Sequence, residues 1–275
     1  MTELTISMPV YNSSKFIGEA IGSVLAQEEV DFELIVVDDG SNDGTAEAVA
    51  SFNDRRIKYT RNDINRGIAY CHNLVVESCR SPYISHVDSD DLVLPGAFQK
   101  MLDAIRRSPV IGQAHCNYFF IDEDGGRIDM QLSSVRTPQM DYKREILVCG
   151  GIINHLRTYR REVFQNVGNF DETLKFSIDT EMALRIVDKY EIKLVPEFLY
   201  SRRVHRQNSS DTLRLKELRY WYQRYRFTRR LMKDKKVNYL RSGRYDFNRL
   251  MAEGLCRALL SCAARISGSM LNKKS

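Results

Sequence analysis

Phe32-Glu33-Leu34-Ile35-Val36-Val37-Asp38-Asp39-Gly40-Ser41 sets an almost unbroken apolar run directly against two carboxylates and a glycine. A run this short, bounded by turn residues, reads as a strand buried on both faces, and such strands belong to parallel sheets covered by helices on each side. Its neighbours agree. Leu4 to Val10 is a β-rich run, and after it Phe16, Ile17, Ile21, Val24 and Leu25 recur on one helical face that Asn12, Ser13 or Ser14 can cap. Beyond the central run, Thr45 to Phe52 resumes helix. A strand near Ile57 to Tyr59, a helix over Ala69 to Cys79 and a strand at Tyr83 to Val87 follow. This βαβαβαβ order predicts an α/β fold with a doubly wound sheet, which binds its ligands at the carboxyl ends of the strands.

From residue 113 the pattern turns mixed. Strands are expected at Ala114 to Ile121 and Arg127 to Leu132 across an Asp/Gly turn, with a helix over Asp179 to Lys189 and a strand at Lys193 to Glu197. From Leu213 onward the periodicity is helical. The chain therefore divides into an α/β body over 1–212, split near 112, and a helical extension over 213–275.

Composition bounds the compartment and the partners. No stretch of the 275 residues approaches 18 consecutive apolar positions, and the N-terminus lacks the basic and apolar regions of a signal peptide, so a cytoplasmic setting is expected. The six cysteines are scattered without a CxxC pair and read as reduced, buried residues. The net charge of +5 conceals an asymmetry: residues 213–275 hold 17 basic and 4 acidic residues, against 24 and 32 in the rest. A tail carrying +13 on a body carrying −8 calls for an anionic partner.

The fourth strand runs out at Val87-Asp88-Ser89-Asp90-Asp91, three carboxylates in four positions. Such a group repels itself unless a basic partner, water or a hard cation compensates, and Mg²⁺ or Mn²⁺ shared with substrate phosphates is a recurrent solution. The plain alternative is a solvated acidic turn before the helix that begins near Pro95. Asp38-Asp39-Gly40-Ser41 ends its own strand in the same way, either as an Asx-type turn or as a carboxylate turned toward a base N–H. Tyr11 can stack on a base or pack on its own helix.

Taken in order, Pro9-Val10-Tyr11-Asn12, Val37 to Thr45, Asn65-Arg66-Gly67 and Asp88-Ser89-Asp90-Asp91 resemble the inverting family 2 glycosyltransferases of the GT-A fold, over roughly residues 4 to 212. The resemblance implies a mixed, mostly parallel sheet with helices on both faces, its first half binding a nucleotide sugar and its second an acceptor. It also implies roles. Tyr11, with Pro9 and Asn12, would face the base; Asp39 would pair with a uracil imide, with Asp38 beside it; Asn65 and Gly67 would form the donor loop. The metal, Mn²⁺ or Mg²⁺, would fall to Asp88 and Asp90, with Ser89 near the donor.

Phe176 to Arg185 resembles the family's second acidic motif and puts its aspartate at Asp179. An acceptor hydroxyl must lose a proton as it attacks an anomeric carbon, and a positioned carboxylate can take it; a helix N-terminal aspartate held by the macrodipole is the alternative. Tyr200 to Ser210 resembles the family's C-terminal histidine stretch, which implies His205 near metal or phosphates, with Arg202 and Arg206 as weaker phosphate contacts. Two departures stand out. Cys71-His72-Asn73 replaces the family's Ala-Arg-Asn, leaving His72 as a weaker or pH-sensitive nucleotide contact, and Ile178 replaces a glutamate before Asp179. Val167 to Glu172 resembles a segment supporting the acceptor side.

The implied activity is metal-dependent transfer from a nucleotide sugar, a UDP-sugar first, to a glycan or lipid-linked acceptor in surface polysaccharide synthesis. A sugar-nucleotidyltransferase is the enzymatic alternative, though Pro9 to Ile17 offers no Gly-rich phosphate loop; a non-catalytic nucleotide-sugar or glycan-binding module is the other. The 213–275 stripes suit either an interfacial helix on an anionic inner membrane face or a bundle that packs on the body or pairs with a second subunit. No nucleic-acid partner is expected.

Overall fold

The computed structural model describes residues 2–131, 146, 153, 155–174 and 177–205. The extension expected to be helical, 213–275, together with Arg206 and Phe176, lies outside these residues. Strands β1 (Leu4–Val10), β2 (Phe32–Asp38), β3 (Ile57–Arg61) and β4 (Tyr83–His86) alternate with helices α1 (Ile17–Leu25), α2 (Thr45–Ala50) and α3 (Ile68–Ser78). The two-residue β5 (Leu92–Val93), α4 (Ala97–Arg106), β6 (Ile111–Ile121), β7 (Arg127–Gln131), β8 (Arg157–Arg160), α5 (Glu162–Val167), α6 (Ile178–Ile186) and β9 (Glu191–Arg203) follow.

The strands form one sheet in the order β3-β2-β1-β4-β8-β6-β9-β5, with β7 paired to β6. Neighbours from β3 to β4 are parallel, β8 is antiparallel to both β4 and β6, and β6 and β9 are parallel again. This is the expected GT-A-like sheet, mixed and mostly parallel.

Alternation along β1 explains the layers. Leu4, Ile6, Met8 and Val10 enter a core shared with Ile17, Ala20, Ile21 and Val24 of α1 and Phe98, Met101 and Ile105 of α4. On the opposite face, Thr5 bonds Ser81 and Ser7 Oγ lies 2.8 Å from His72 of α3. Around Ile84 on β4, the second core gathers Ala69, Tyr159, Phe164, Phe170 and the buried α6. Helices thus cover both faces, and the residues carrying chemistry are left at the strand ends.

Two local details differ from expectation. Helix α1 starts at Ile17 with no side-chain cap; the Ser13 carbonyl receives the N–H groups of Phe16 and Ile17. The side chains of the expected caps are drawn to neighbouring loops, Asn12 to Asn42 and Ser13 to Ser89. Strand β9 spans 13 residues where five were expected. Its register against β6 passes from Cys116↔Val195 to Asn117↔Phe198, so Pro196 sits in an irregularity where its missing N–H costs no ladder bond.

Candidate active site

The parallel register of β1, β2 and β4 sets their C-terminal loops side by side. In the first of these loops Tyr11 is 50% exposed, and Asn12 (φ 49°) donates its N–H to the Ser41 hydroxyl oxygen and accepts the Asn42 N–H at its Oδ1, both at 2.9 Å. Pro9 is half-buried within β1. Asp38 is fully buried: Ser41 N–H reaches Oδ1 at 2.7 Å and the Tyr59 hydroxyl reaches Oδ2 at 2.6 Å. These bonds make Asp38 the internal brace of the turn.

Asp39 organises the expected donor loop. Its carboxylate accepts Asn62 Nδ2 at 2.8 Å, the Arg66 N–H at 2.9 Å and the Gly67 N–H at 2.7 Å, which folds Asn65-Arg66-Gly67 back onto the end of β2. Gly67 has φ +94°, and a Cβ on Gly40 (φ +80°) would sit 3.1 Å from the Ile64 carbonyl carbon, so both glycines answer a steric demand. Asn65 itself is exposed. His72, by contrast, is not brought to the strand ends. It is buried and stacked on His86 at 3.7 Å, and burial, reinforced by the Arg157 charge, lowers it to about 3. A ring held neutral in the interior offers no charge to a nucleotide, which corrects the expectation for this position.

The acidic cluster lies one strand over, and each carboxylate has a distinct partner. Asp88 donates its backbone N–H to the Tyr200 hydroxyl at 3.1 Å, while its carboxylate lies 3.4 Å from His155 Nδ1 and 3.9 Å from Arg157. Asp90 Oδ2 is 2.8 Å from Nε2 of His205, whose ring leans on Phe16. Asp91 is buried and accepts the Arg203 N–H at 2.8 Å. Burial, with the Asp88 charge, pushes Asp90 upward against the pull of His205; burial with both neighbours pushes Asp91 well up. The Ser89 carbonyl accepts the Ser13 hydroxyl at 3.4 Å. Arg202 lies over Phe120 and within the field of Asp91 and Asp88.

Ligand atoms of Asp88, Asp91 and His155 fall within 4.8 Å of one another. Burial and the charges of Arg157 and Arg202 hold His155 neutral, with a lone pair available. Carboxylate oxygens and a neutral imidazole suit Mn²⁺ or Mg²⁺, so the donor chemistry fits the implied ion. The grouping shares Asp88 with the expected Asp88, Asp90 and His205, of which Asp90 and His205 lie against each other at 2.8 Å.

Asp179, the expected base, stands at the start of α6 and is brought beside Arg157. Its Oδ2 accepts Arg157 Nη1 at 2.8 Å, its Oδ1 accepts the Thr180 N–H at 2.8 Å, and the side chain stays 30% exposed. Sequence reading missed His155, Arg157 and Arg203. Arg203 is fully buried, and its guanidinium donates to the Asp90 and Glu123 carbonyls at 3.0 and 2.7 Å and to Glu19 at 2.6 Å. The available signal was the alternation His155-Leu156-Arg157, polar residues spaced by two as on one face of a strand.

The Val167 to Glu172 segment is pinned from two sides. Asn73 receives the Phe170 N–H at 2.9 Å and donates to Glu172, while Arg185, paired with Glu181, donates to the Gly168 and Asn169 carbonyls.

A sheet of this topology with paired carboxylates at the ends of its parallel strands defines the GT-A class. The model of glycosyl transferase family 2 matches residues 5–168, and the chain belongs to that family. It is 29% identical to the chondroitin synthase of Escherichia coli over 209 residues, which are 75% of this chain and 30% of that protein. It is 26% identical to a Pasteurella multocida hyaluronan synthase over the same length, 21% of that protein. The chain thus spans less than a third of these relatives.

Among solved structures, S. aureus TarS 1-349 in complex with UDP superposes with a TM-score of 0.60 at 21% identity, covering 78% of this chain and 64% of that one. The mannosyltransferase PcManGT from Pyrobaculum calidifontis, in complex with GDP-Man and Mn²⁺, gives 0.63 at 17% identity, covering 100% and 81%. At these identities the likeness establishes the fold. No helix among the described residues is long and apolar enough to cross a membrane.

Proposed function

We propose that the chain is an inverting glycosyltransferase that moves a sugar from a nucleoside-diphosphate donor, a UDP-sugar first, to a hydroxyl of a glycan or lipid-linked acceptor in bacterial surface polysaccharide synthesis. The observation that carries this reading is the short side-chain path from Asp88 through Arg157 to Asp179, which sets a carboxylate suited to proton abstraction beside the acidic cluster. Relatives named as chondroitin and hyaluronan synthases support the polysaccharide, and neighbours solved with UDP, UDP-GlcNAc or GDP-Man support the donor class.

The donor's base and ribose lie against Tyr11, Asn12 and the Asp39 loop, where Asp39 retains acceptor capacity on Oδ2. Arg202 faces the diphosphate. As the acceptor oxygen bonds to the anomeric carbon, its proton passes to the Asp179 carboxylate and the nucleoside diphosphate leaves with the electrons of the broken C–O bond. When bound, Mn²⁺ or Mg²⁺ held by Asp88 and Asp90, with His205 beside them and Asp91 and His155 extending the donor set, supplies charge neutralisation for the departing diphosphate. The +13 segment 213–275 supports contact with an anionic inner membrane face, near a lipid-linked acceptor.

A panel of nucleotide sugars scored by thermal shift with and without Mn²⁺ or Mg²⁺ tests this function. One donor is expected to raise the melting temperature only with metal, and Asp90→Ala to abolish the rise. Metal-independent stabilisation that survives in Asp90→Ala would overturn the assignment of the cluster.

A further inference from the structure

The geometry points to Arg157 as a positioning residue of the transfer: it fixes the Asp179 carboxylate in the orientation that receives the acceptor proton and sets its distance from Asp88. The inference rests on the reading of Asp179 as the base.

Arg157 opens β8, which is clamped between β4 and β6, with Arg157 in register with His86 on one side and Thr158 with Ala114 on the other. Its backbone therefore cannot drift with the loops around it. The guanidinium reaches two carboxylates from elements far apart in the chain, through Nη1 to Asp179 at 2.8 Å and through Nη2 to Asp88 at 3.9 Å. A planar fork can serve two acceptors at once where a lysine ammonium on a flexible stem serves one point. The side chain is only 10% exposed, which keeps it behind the carboxylates and suits it poorly as a direct phosphate contact.

What Arg157 leaves open on Asp179 is as informative as what it binds. With Oδ2 held by the guanidinium and Oδ1 by the Thr180 N–H, rotation of the carboxylate is blocked, yet each oxygen keeps a lone pair on a side chain that solvent still reaches. A base held in this way meets an incoming hydroxyl without first ordering itself. The adjoining backbone is tied down too: the Cys116 N–H donates to the His155 carbonyl at 3.2 Å, and the His155 ring stacks on Tyr200 at 5.2 Å.

The test compares wild type, Arg157→Lys, Arg157→Gln, Arg157→Gly and Asp179→Asn in Mn²⁺-dependent release of UDP from UDP-GlcNAc, or of the nucleotide from whichever panel sugar the wild type turns over. Melting temperature is recorded alongside. Both Arg157→Lys and Arg157→Gln are expected to lower kcat on the order of 10²-fold, with donor KM within roughly threefold of wild type. Added guanidinium is expected to restore part of the turnover of Arg157→Gly and none in Asp179→Asn. If Arg157→Gln does not fold, Arg157→Lys, which keeps the charge, carries the comparison. Unchanged kcat in a folded Arg157 variant beside an inactive Asp179→Asn overturns the inference and leaves the base standing, as does a raised donor KM with kcat intact. Full turnover in Asp179→Asn removes the base itself, and this inference with it.

Discussion

The acidic residues at the ends of β2 and β4 draw their partners from very different distances along the chain. Asp38 and Asp39 are satisfied from within the next 28 positions, largely by the backbone N–H groups of Ser41, Arg66 and Gly67. Asp88, Asp90 and Asp91 depend on Tyr200, His205 and Arg203, each 112 to 115 residues away. Of these remote contacts, those of Tyr200 and His205 are made by side chains and that of Arg203 by its backbone N–H, so substitution at 200 or 205 removes a partner directly. The turn after β2 is thus self-contained, and the acidic cluster is an assembly of distant strands.

The largest effect expected from this contrast lies at Arg203. Replacing it with Met strips donors from the partly buried Asp90 and Glu123 carbonyls and from the exposed Glu19, so three charge-assisted hydrogen bonds are lost at once. A loss of about 3 kcal/mol is expected, read as a fall in melting temperature of roughly 6–12 °C for a body of this size, together with loss of metal-dependent donor stabilisation. A fall below about 2 °C would break the contrast.

The histidine seam between α3 and β4 gives the next effect. Burial, aided by Arg157, holds His72 at about 3, and His86 and His115 are also held low, His86 well below the usual histidine range. The unfolded chain takes up protons at these rings below about pH 6.5 while the folded chain does not. Stability therefore falls as pH drops from there toward about 3, by up to about 1.4 kcal/mol per pH unit for each ring. Urea midpoints measured at pH 7, 6 and 5 should decline, with a shallower slope in His72→Gln; a flat midpoint would contradict the burial of the seam. The smallest effect belongs to the self-contained turn. Asp38→Asn keeps an acceptor for Ser41 and a polar partner for Tyr59, so a cost near 1 kcal/mol is expected by denaturant unfolding. A loss approaching that of Arg203→Met would erase the distinction.

The same contrast governs how much was legible in the sequence. Strands β1 to β4 and helices α1 to α3 were readable because apolar period, glycine and turn residues all act locally there. The strand-end carboxylates at Asp38, Asp39, Asp88 and Asp90 stood out as candidates for the same reason, whereas Asp179 entered only through the family resemblance. Strand β8 was not: Arg157-Thr158-Tyr159-Arg160 has no apolar alternation, because its burial is that of a polar strand between two others. The true reach of β9 was hidden by Pro196, which a single-strand reading takes as a stop and which the irregular register absorbs. Arg202 and Arg203 look alike in sequence, yet alternation lays Arg202 over Phe120 and buries Arg203 fully beneath the acidic cluster, on the Asp90 and Glu123 carbonyls. His72 misled in the opposite sense, since its side chain follows the buried face of α3.

Arg203 also carries a consequence in time. During synthesis the loop at Asp88 to Asp91 emerges more than a hundred residues before the side chains that neutralise it, and a contact across 112 positions forms only after β9 has joined the sheet. Until then the carboxylates of Asp90 and Asp91 lack the partners that His205 and Arg203 supply. The final strand of the described body is therefore a checkpoint: a nascent or clipped chain that stops short of Arg203 can complete the turn after β2 while lacking an ordered acidic cluster.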